Sequence, residues 1–436
     1  MTEMSDDIDH LNVDKLPKFI FFQAMIIGIV FAADQVFGFV EQNFFNTYIV
    51  HVLEEPEIFV SIMVSLSAAM GLTFNLIFGI LSDNTRSKYG RRRPYLLMGG
   101  TIAGIAAIIY AFSPNYMWAL LLDVLIIGIF SNAYYSADRA VIPDVVPLEY
   151  RGRANGIISA FGNIGVLAGV ALFLLSDLFF SIPNPRGDGN ILTQEGHIFV
   201  LAFGGIFIIF SSIIGFIFIQ EISASELPPK KSFLTELKEM IKIEELRKEK
   251  EFFKITLAYT IFQMGIAIIM PFLFIYIFAL GLTTLELLVG ILISFPILII
   301  TTVNLGKLAD KHGRKKYISL VILIMSVGVA LASFAKSPDG VNLIIFMVSL
   351  PFVLVAILGI AAVLNTWSQD LLPKDKRGKF FGILNIVFTI PQIIGSLLAG
   401  YVAMVFDLQW IFILAAGFFL ISILFFQRVE ETFEVE

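Results

Sequence analysis

The chain has 436 residues, of which 57% are hydrophobic and only 15% charged, where soluble chains carry about a quarter charged residues. With a mean hydropathy of +0.86, this composition excludes a water-soluble globule and a disordered or fibrous chain. The absence of Cys removes disulfides, zinc–thiolate and iron–sulfur centres and thiol nucleophiles, and His10, His51, His197 and His312 fall in tails, loops or helix ends, so imidazole chemistry inside the membrane is not expected. Neither a metal, a cofactor nor an enzyme activity is expected. The net charge of −6 comes largely from the acidic tail before residue 15 and from Glu430 to Glu436, and implies no nucleic-acid partner.

A helix crosses the roughly 30 Å hydrocarbon layer with about 20 apolar residues. Twelve stretches of that kind occur, at about 19–49, 57–82, 94–113, 116–143, 153–176, 197–219, 252–280, 284–306, 317–335, 341–371, 380–405 and 408–427. The tail is acidic and the first apolar run is too long for a signal core, so no cleavable signal is expected. Of the 30 Lys and Arg, 27 fall in the tails and at the even-numbered connections, which places both termini in the cytoplasm of a multi-pass cell-membrane protein. The expected division is a cytoplasmic tail over 1–18, a six-helix bundle over 19–219, a central cytoplasmic loop over 220–251, a second bundle over 252–427 and a tail over 428–436. Within the loop, Phe233, Leu237 and Ile241 mark one side of a charged amphipathic helix.

The two halves repeat. Asp144-Val-Val-Pro147 with Arg151-Gly152 and Gly156-Ile157 returns as Asp370-Leu-Leu-Pro373 with Arg377-Gly378 and Gly382-Ile383, a shift of 226 residues. Likewise Gly79-Ile-Leu-Ser-Asp83 leading to Gly90-Arg91-Arg92-Arg93 corresponds to Gly306-Lys-Leu-Ala-Asp310 leading to Gly313-Arg314-Lys315-Lys316. A tandem duplication of this kind is the sequence mark of many transporter folds. The expected fold is an all-α membrane protein of twelve transmembrane helices in two pseudo-symmetric six-helix bundles.

With its central loop and the Gly-x-x-x-Asp to Gly-Arg-basic-basic corner after helices 2 and 8, the sequence resembles the major facilitator superfamily over nearly its whole length. The longer first corner, Ser82 to Tyr95, resembles the sucrose transporter and glycoside-pentoside-hexuronide symporter groups. Further agreement lies in Arg139-Ala140 with Asp144, in Arg153-Ala154-Asn155 with Gly162-Asn163 and Gly165, and, more weakly, in Gly38-Phe39 with Gln42 and Thr47. The resemblance implies that helices 1, 4, 7 and 10 line a central cavity, and that the chain takes up a sugar or glycoside with a proton or sodium ion by alternating access, as a monomer. The alternative within the same fold is a multidrug or metabolite exporter working as a proton antiporter. No phosphate-binding loop is present for ATP.

Asp83 ends helix 2 near the negative end of its dipole, where it needs a basic answer. Arg91, Arg92 and Arg93, with Arg151 across the corner, are expected to supply it. The cytoplasmic gate so read comprises Asp83, Gly90, Arg91, Arg92, Arg93, Asp138, Arg139, Asp144 and Arg151, with Asp310, Arg314, Asp370 and Arg377 in the second half. A carboxylate at bilayer depth costs about 2.5 to 3.5 kcal/mol on insertion scales, so it usually faces a pathway. Asp34 and Glu41, seven residues apart, share a face of helix 1, and Asp123 stands in the outer half of helix 4. The sucrose transporters carry an acid where this chain has Gly128, so the coupling role must lie elsewhere. Asp138 adjoins Arg139, a cation that favours its charged form. Asp34 is therefore expected first, Asp123 second, with Glu41 assisting and Arg139 structural. Neutral polar and aromatic residues, Gln42, Asn132, Asn163, Gln263, Trp367, Asn385 and Gln392, together with Asp34, are the expected solute contacts, since polyols need many donors and acceptors and stack on rings.

Overall fold

The computed structural model describes residues 16–222, 249–337, 340–371 and 377–431 and isolated positions between 223 and 248. Side chains at 362 and 377–387 fall outside the described set, as does most of the expected amphipathic helix of the central loop. Twelve membrane-competent helices appear: α1 Lys18–His51, α2 Glu57–Asn84, α3 Arg93–Tyr110, α4 Tyr116–Val145, α5 Leu148–Phe180, α6 Gln194–Phe218, α7 Lys250–Ala279, α8 Thr284–His312, α9 Arg314–Phe334, α10 Leu343–Asp370, α11 Arg377–Val405 and α12 Leu408–Phe426. Two short hairpins were not legible in the sequence: β1 Ser181–Pro183 with β2 Asn190–Leu192 between α5 and α6, and β3 Lys336–Ser337 with β4 Gly340–Val341 between α9 and α10.

The packing repeats as the sequence does. In the first half α1 lies against α5 and α6, α3 against α6 and α4, and α2 against α4; in the second, α7 lies against α11 and α12, α9 against α12 and α10, and α8 against α10. Between the halves α2 meets α11, α5 meets α8, and α1 meets α7. The face carrying the α2–α3, α4–α5 and α8–α9 corners is the basic face; the two hairpins lie on the other, the hairpin face.

Helix starts differ between the faces. On the hairpin face Asn115, Thr193, Thr283 and Asn342 each accept a backbone N–H of the helix they open, and Thr283 with Glu286 forms a capping box. A cap of this type is worth about 1 kcal/mol. On the basic face α3 takes its cap from elsewhere. The Glu221 carboxylate, just beyond α6, accepts the N–H groups of Arg91, Arg92 and Arg93 at 2.7 to 3.0 Å. The copy repeats this: Glu431, beyond α12, accepts the Lys315 N–H at 2.9 Å. Gly90 and Gly313 turn these corners at φ +100° and +90°, and a Cβ on either would run into the capping glutamate at 2.7 and 2.9 Å, which explains the glycine in both copies of the motif.

Candidate functional site

Between the two halves lies a cavity of about 660 Å³ with two unlike walls. From α1, α2 and α4 it receives Asp34, Gln35, Glu41, Gln42, Ser67, Asn75, Asp123, Asn132, Tyr135 and Arg139. From the second half it receives Met270, Leu273, Phe274, Ile291, Phe295, Phe346, Leu350, Leu354 and Phe388, with Thr389 and Gln392 as its polar members. Every charged group that lines the cavity among the described residues belongs to the first half.

The carboxylates are held by neutral donors. Asp34 is buried and accepts from Gln35 Nε2 at 3.0 Å. Glu41 accepts from the Tyr135 hydroxyl at 3.1 Å, and Asp123, also buried, accepts from the Ser67 hydroxyl. Glu41 is an electrostatic neighbour of both Asp34 and Asp123, and Asp138 of Asp34. Arg139 acts on Asp34 and Asp138 alike. Asp34 and Asp138 thus share one guanidinium, while Glu41 and Asp123 have, among the described residues, only neutral donors and other carboxylates around them.

A π-helical segment, Leu122–Ile127, places Asp123, and the Gly128 N–H bonds back to the Asp123 carbonyl. Five residues of α-helix would turn two side chains roughly 140° apart; the wider i→i+5 turn stacks them instead. In consequence Asp123 faces the cavity together with Asn132, Tyr135 and Arg139 further along the same helix. A second π segment, Val355–Gly359, interrupts α10, and its Ile357 and Leu358 also line the cavity.

Other expected residues fall elsewhere. Asp138 and Arg139 form no ion pair within 4 Å among the described residues: successive helical residues point apart, so Asp138 is buried while Arg139 projects into the cavity. Gln42, Asn132 and Gln392 line the cavity; Asn163 is exposed and lies outside its walls. Gln263 bonds Tyr259, which in turn reaches Asn365 at 3.3 Å. Trp367, the expected stacking ring, is fully buried and stacked on Phe426 at 6.0 Å, inside the second half. The side chains of Asn385 and Arg377 lie outside the described residues. His51 and His197 sit at helix ends, as expected from the sequence, and are buried there, His51 Nδ1 accepting the Leu192 N–H at 3.1 Å and His197 Nε2 lying 3.0 Å from Thr47 Oγ1. Sequence reading missed Tyr135, Ser67 and Gln35, which give no signal until the helices are packed.

At the basic face Asp144 is the hub. It receives both Arg91 and Arg92, and Arg92 also reaches Asp83 and Ser82. Partial burial pulls the Arg91 guanidinium down, but its bonds to Asp144 more than offset this and leave its pKa above the ordinary value. Arg93 turns to the Phe216 carbonyl, and Arg151 to the Val146 and Pro143 carbonyls at 2.9 and 2.8 Å, rather than to Asp83. In the copy, Arg314 pairs with Asp370 at 2.6 Å and with Asp310 at 3.9 Å. These ion pairs run within a half, not between halves.

The model of the Major Facilitator Superfamily matches residues 20–358 and 288–435, so the chain belongs to that superfamily and is a multi-pass membrane transporter of small molecules, not an enzyme. It is 26% identical over 370 residues to the multi-drug resistance efflux pump PmrA of Streptococcus pneumoniae, covering 82% of this chain and 83% of that one. It is 27% identical over 186 residues to the sucrose transport protein SUC3 of Arabidopsis thaliana, covering 38% of this chain and 31% of the plant protein. Among solved structures, that of a D-xylose-proton symporter superposes with a TM-score of 0.65 at 16% identity over 94% of this chain and 98% of that one.

Proposed function

We propose that the protein imports a sugar or glycoside together with a proton or sodium ion, by alternating access in a monomer whose basic face and termini are cytoplasmic. The observation that carries this reading is the first-half wall, where Gln35, Gln42, Asn75 and Asn132 offer neutral donors and acceptors beside Asp34, Glu41 and Asp123. Polyols are recognised by such groups, and a surplus of carboxylates over guanidinium invites a cation. Each charge moved across 100 mV is worth about 2.3 kcal/mol, which is ample to concentrate a neutral solute. The even-numbered basic corners support the orientation, and the local likeness to a sucrose transport protein supports the solute class. Asp34 remains the first choice for coupling and Asp123 the second, with Glu41 between them. The corner ion pairs, each within one half, serve the cytoplasmic gate by holding the helix ends of their own half in place as the halves rock.

A second reading, export of amphiphilic compounds against protons, draws on the apolar second-half wall and on the likeness to PmrA. Purified protein in liposomes, offered a panel of labelled mono- and disaccharides under an imposed proton or sodium gradient, tests the first reading. Uptake that unlabelled saccharides compete away supports it. Flux insensitive to saccharides but blocked by amphiphilic cations supports export.

A further inference from the structure

On the hairpin face, the β1–β2 hairpin of the first half reaches across to the α7–α8 turn of the second. Gly189 lies at φ +85° and Gly281 at φ +68°. A Cβ on Gly189 would meet the Ala279 carbonyl oxygen at 2.5 Å, and one on Gly281 would come within 3.0 Å of the Gly189 Cα. Two left-handed glycines, one from each half, therefore pack backbone to backbone where no side chain fits. Asn190 Nδ2 donates to the Leu282 carbonyl at 3.2 Å beside them, and Thr284 Oγ1 donates to the buried Asp177 carboxylate at 2.6 Å. Beneath lies a stack of rings that again joins the halves: Phe173 to Phe274 at 4.3 Å, Phe39 to Phe274 at 5.5 Å and His51 to Phe278 at 5.1 Å. Outside it, a second cavity of about 540 Å³ is lined by Glu57, Arg186 and Asp188 from one half and Lys336, Asp407 and Gln409 from the other.

We propose that the Gly189–Gly281 contact is the closing element of the gate on the hairpin face, with the ring stack as its seal. The central cavity is bounded on this side by Phe39, Phe173, Phe274 and Ile277, so a solute moving between the two cavities must pass the rings, and the rings cannot part while the hairpin is docked. A backbone contact suits a gate that opens often. It holds through shape and two hydrogen bonds and involves no buried ion pair, whose separation would be expensive. Adding a methyl group at either glycine forces the two backbones apart and biases the gate toward opening. The proposal rests on the transport reading for the purpose of the gate, but its test needs no solute.

The chain has no Cys, so one engineered thiol reports cleanly. Gly38 lines the central cavity with open space at its Cβ, and Gly38→Cys serves as reporter to a membrane-impermeant maleimide added from the hairpin side. Adding Gly281→Ala or Gly189→Ala should raise the labelling rate several-fold. Conversely, Asp177→Cys with Thr284→Cys, bridged by a short reducible cross-linker before labelling, should bring labelling of the reporter thiol to background, and reduction should restore it. Unchanged labelling in both alanine variants, or labelling that persists at full rate with the bridge in place, overturns the proposal. The bridged variant keeps both glycines, so a misfolded alanine variant does not shield the idea. Absence of saccharide uptake by the unmodified protein, with labelling behaving as expected, would count against the transport reading and leave the gate standing.

Discussion

The Tyr135 hydroxyl on α4 donates to the Glu41 carboxylate on α1 at 3.1 Å, and this bond joins the two helices that carry the cavity's charges. Removing it with Tyr135→Phe leaves the ring in place and takes away one donor from the Glu41 carboxyl group, a net hydrogen bond worth about 0.5 to 1.5 kcal/mol. Accumulation of solute against a gradient should fall several-fold, up to about tenfold, with the thermal midpoint little changed. A variant that accumulates normally would place Tyr135 outside the coupling machinery.

Asp34→Asn should abolish accumulation while sparing exchange between equal pools, because exchange requires no net movement of the coupling ion. Asp123→Asn should do the same less completely. Parallel measurements of gradient-driven uptake and counterflow decide this. If both variants accumulate normally and Asp138→Asn does not, the coupling carboxylate is Asp138.

At the basic face the two aspartates of the first corner are not equivalent. Asp144 pairs with both Arg91 and Arg92, with its side chain 9% exposed, whereas Asp83 is 46% exposed and pairs with Arg92. Asp144→Asn should therefore slow transport and raise labelling of a thiol in the cavity from the basic side more than Asp83→Asn does. Equal effects in flux and labelling would contradict the hub assignment.

Glu221→Gln keeps the shape of the α3 cap but removes the charge from three N–H groups at a helix N-terminus. A loss of about 0.5 to 1 kcal/mol in stability is expected, read as a lower thermal midpoint. Gly90→Ala should cost more, about 1 to 3 kcal/mol, because its positive φ and its contact with Glu221 act together.

Reporter fusions at Gly187 should register the outside, and fusions at Ser232 or Glu436 the inside. An outside signal at Ser232 would invert the membrane assignment.

How far these features were legible in the sequence depends on the distance over which each is determined. Apolar length places the twelve helices to within a few residues, although α8 runs on to His312 because polar residues beyond 306 continue its helix. The repeat made Asp83 and Asp310, with Gly90 and Gly313, stand out as pairs. Contacts across helices were harder. Arg139 looked paired with Asp138 because the two adjoin in the chain, and a helix sends neighbours in different directions. Trp367 looked available for a sugar because aromatic character carries no sign of which face it occupies. Glu221 could have been found, since a glutamate follows the last apolar run of each half, at 221 and at 431. The π turn at Asp123 leaves no compositional trace.

The unequal walls of the central cavity carry a mechanical consequence. Duplication made two halves alike, and they have stayed alike at the corners, where glycine, aspartate and arginine set the bends. Inside the cavity they have diverged: among the described residues, one half holds the charges and the other offers hydrocarbon and rings with Thr389 and Gln392 as its polar members. A polar cargo tethered to α1, α2 and α4 rides with the first half, and the second half moves past it as a lubricated wall, with few hydrogen bonds to break on the way. The labour of the cycle is then divided: one half grips, and the friction of rocking is set by the smoothness of the other.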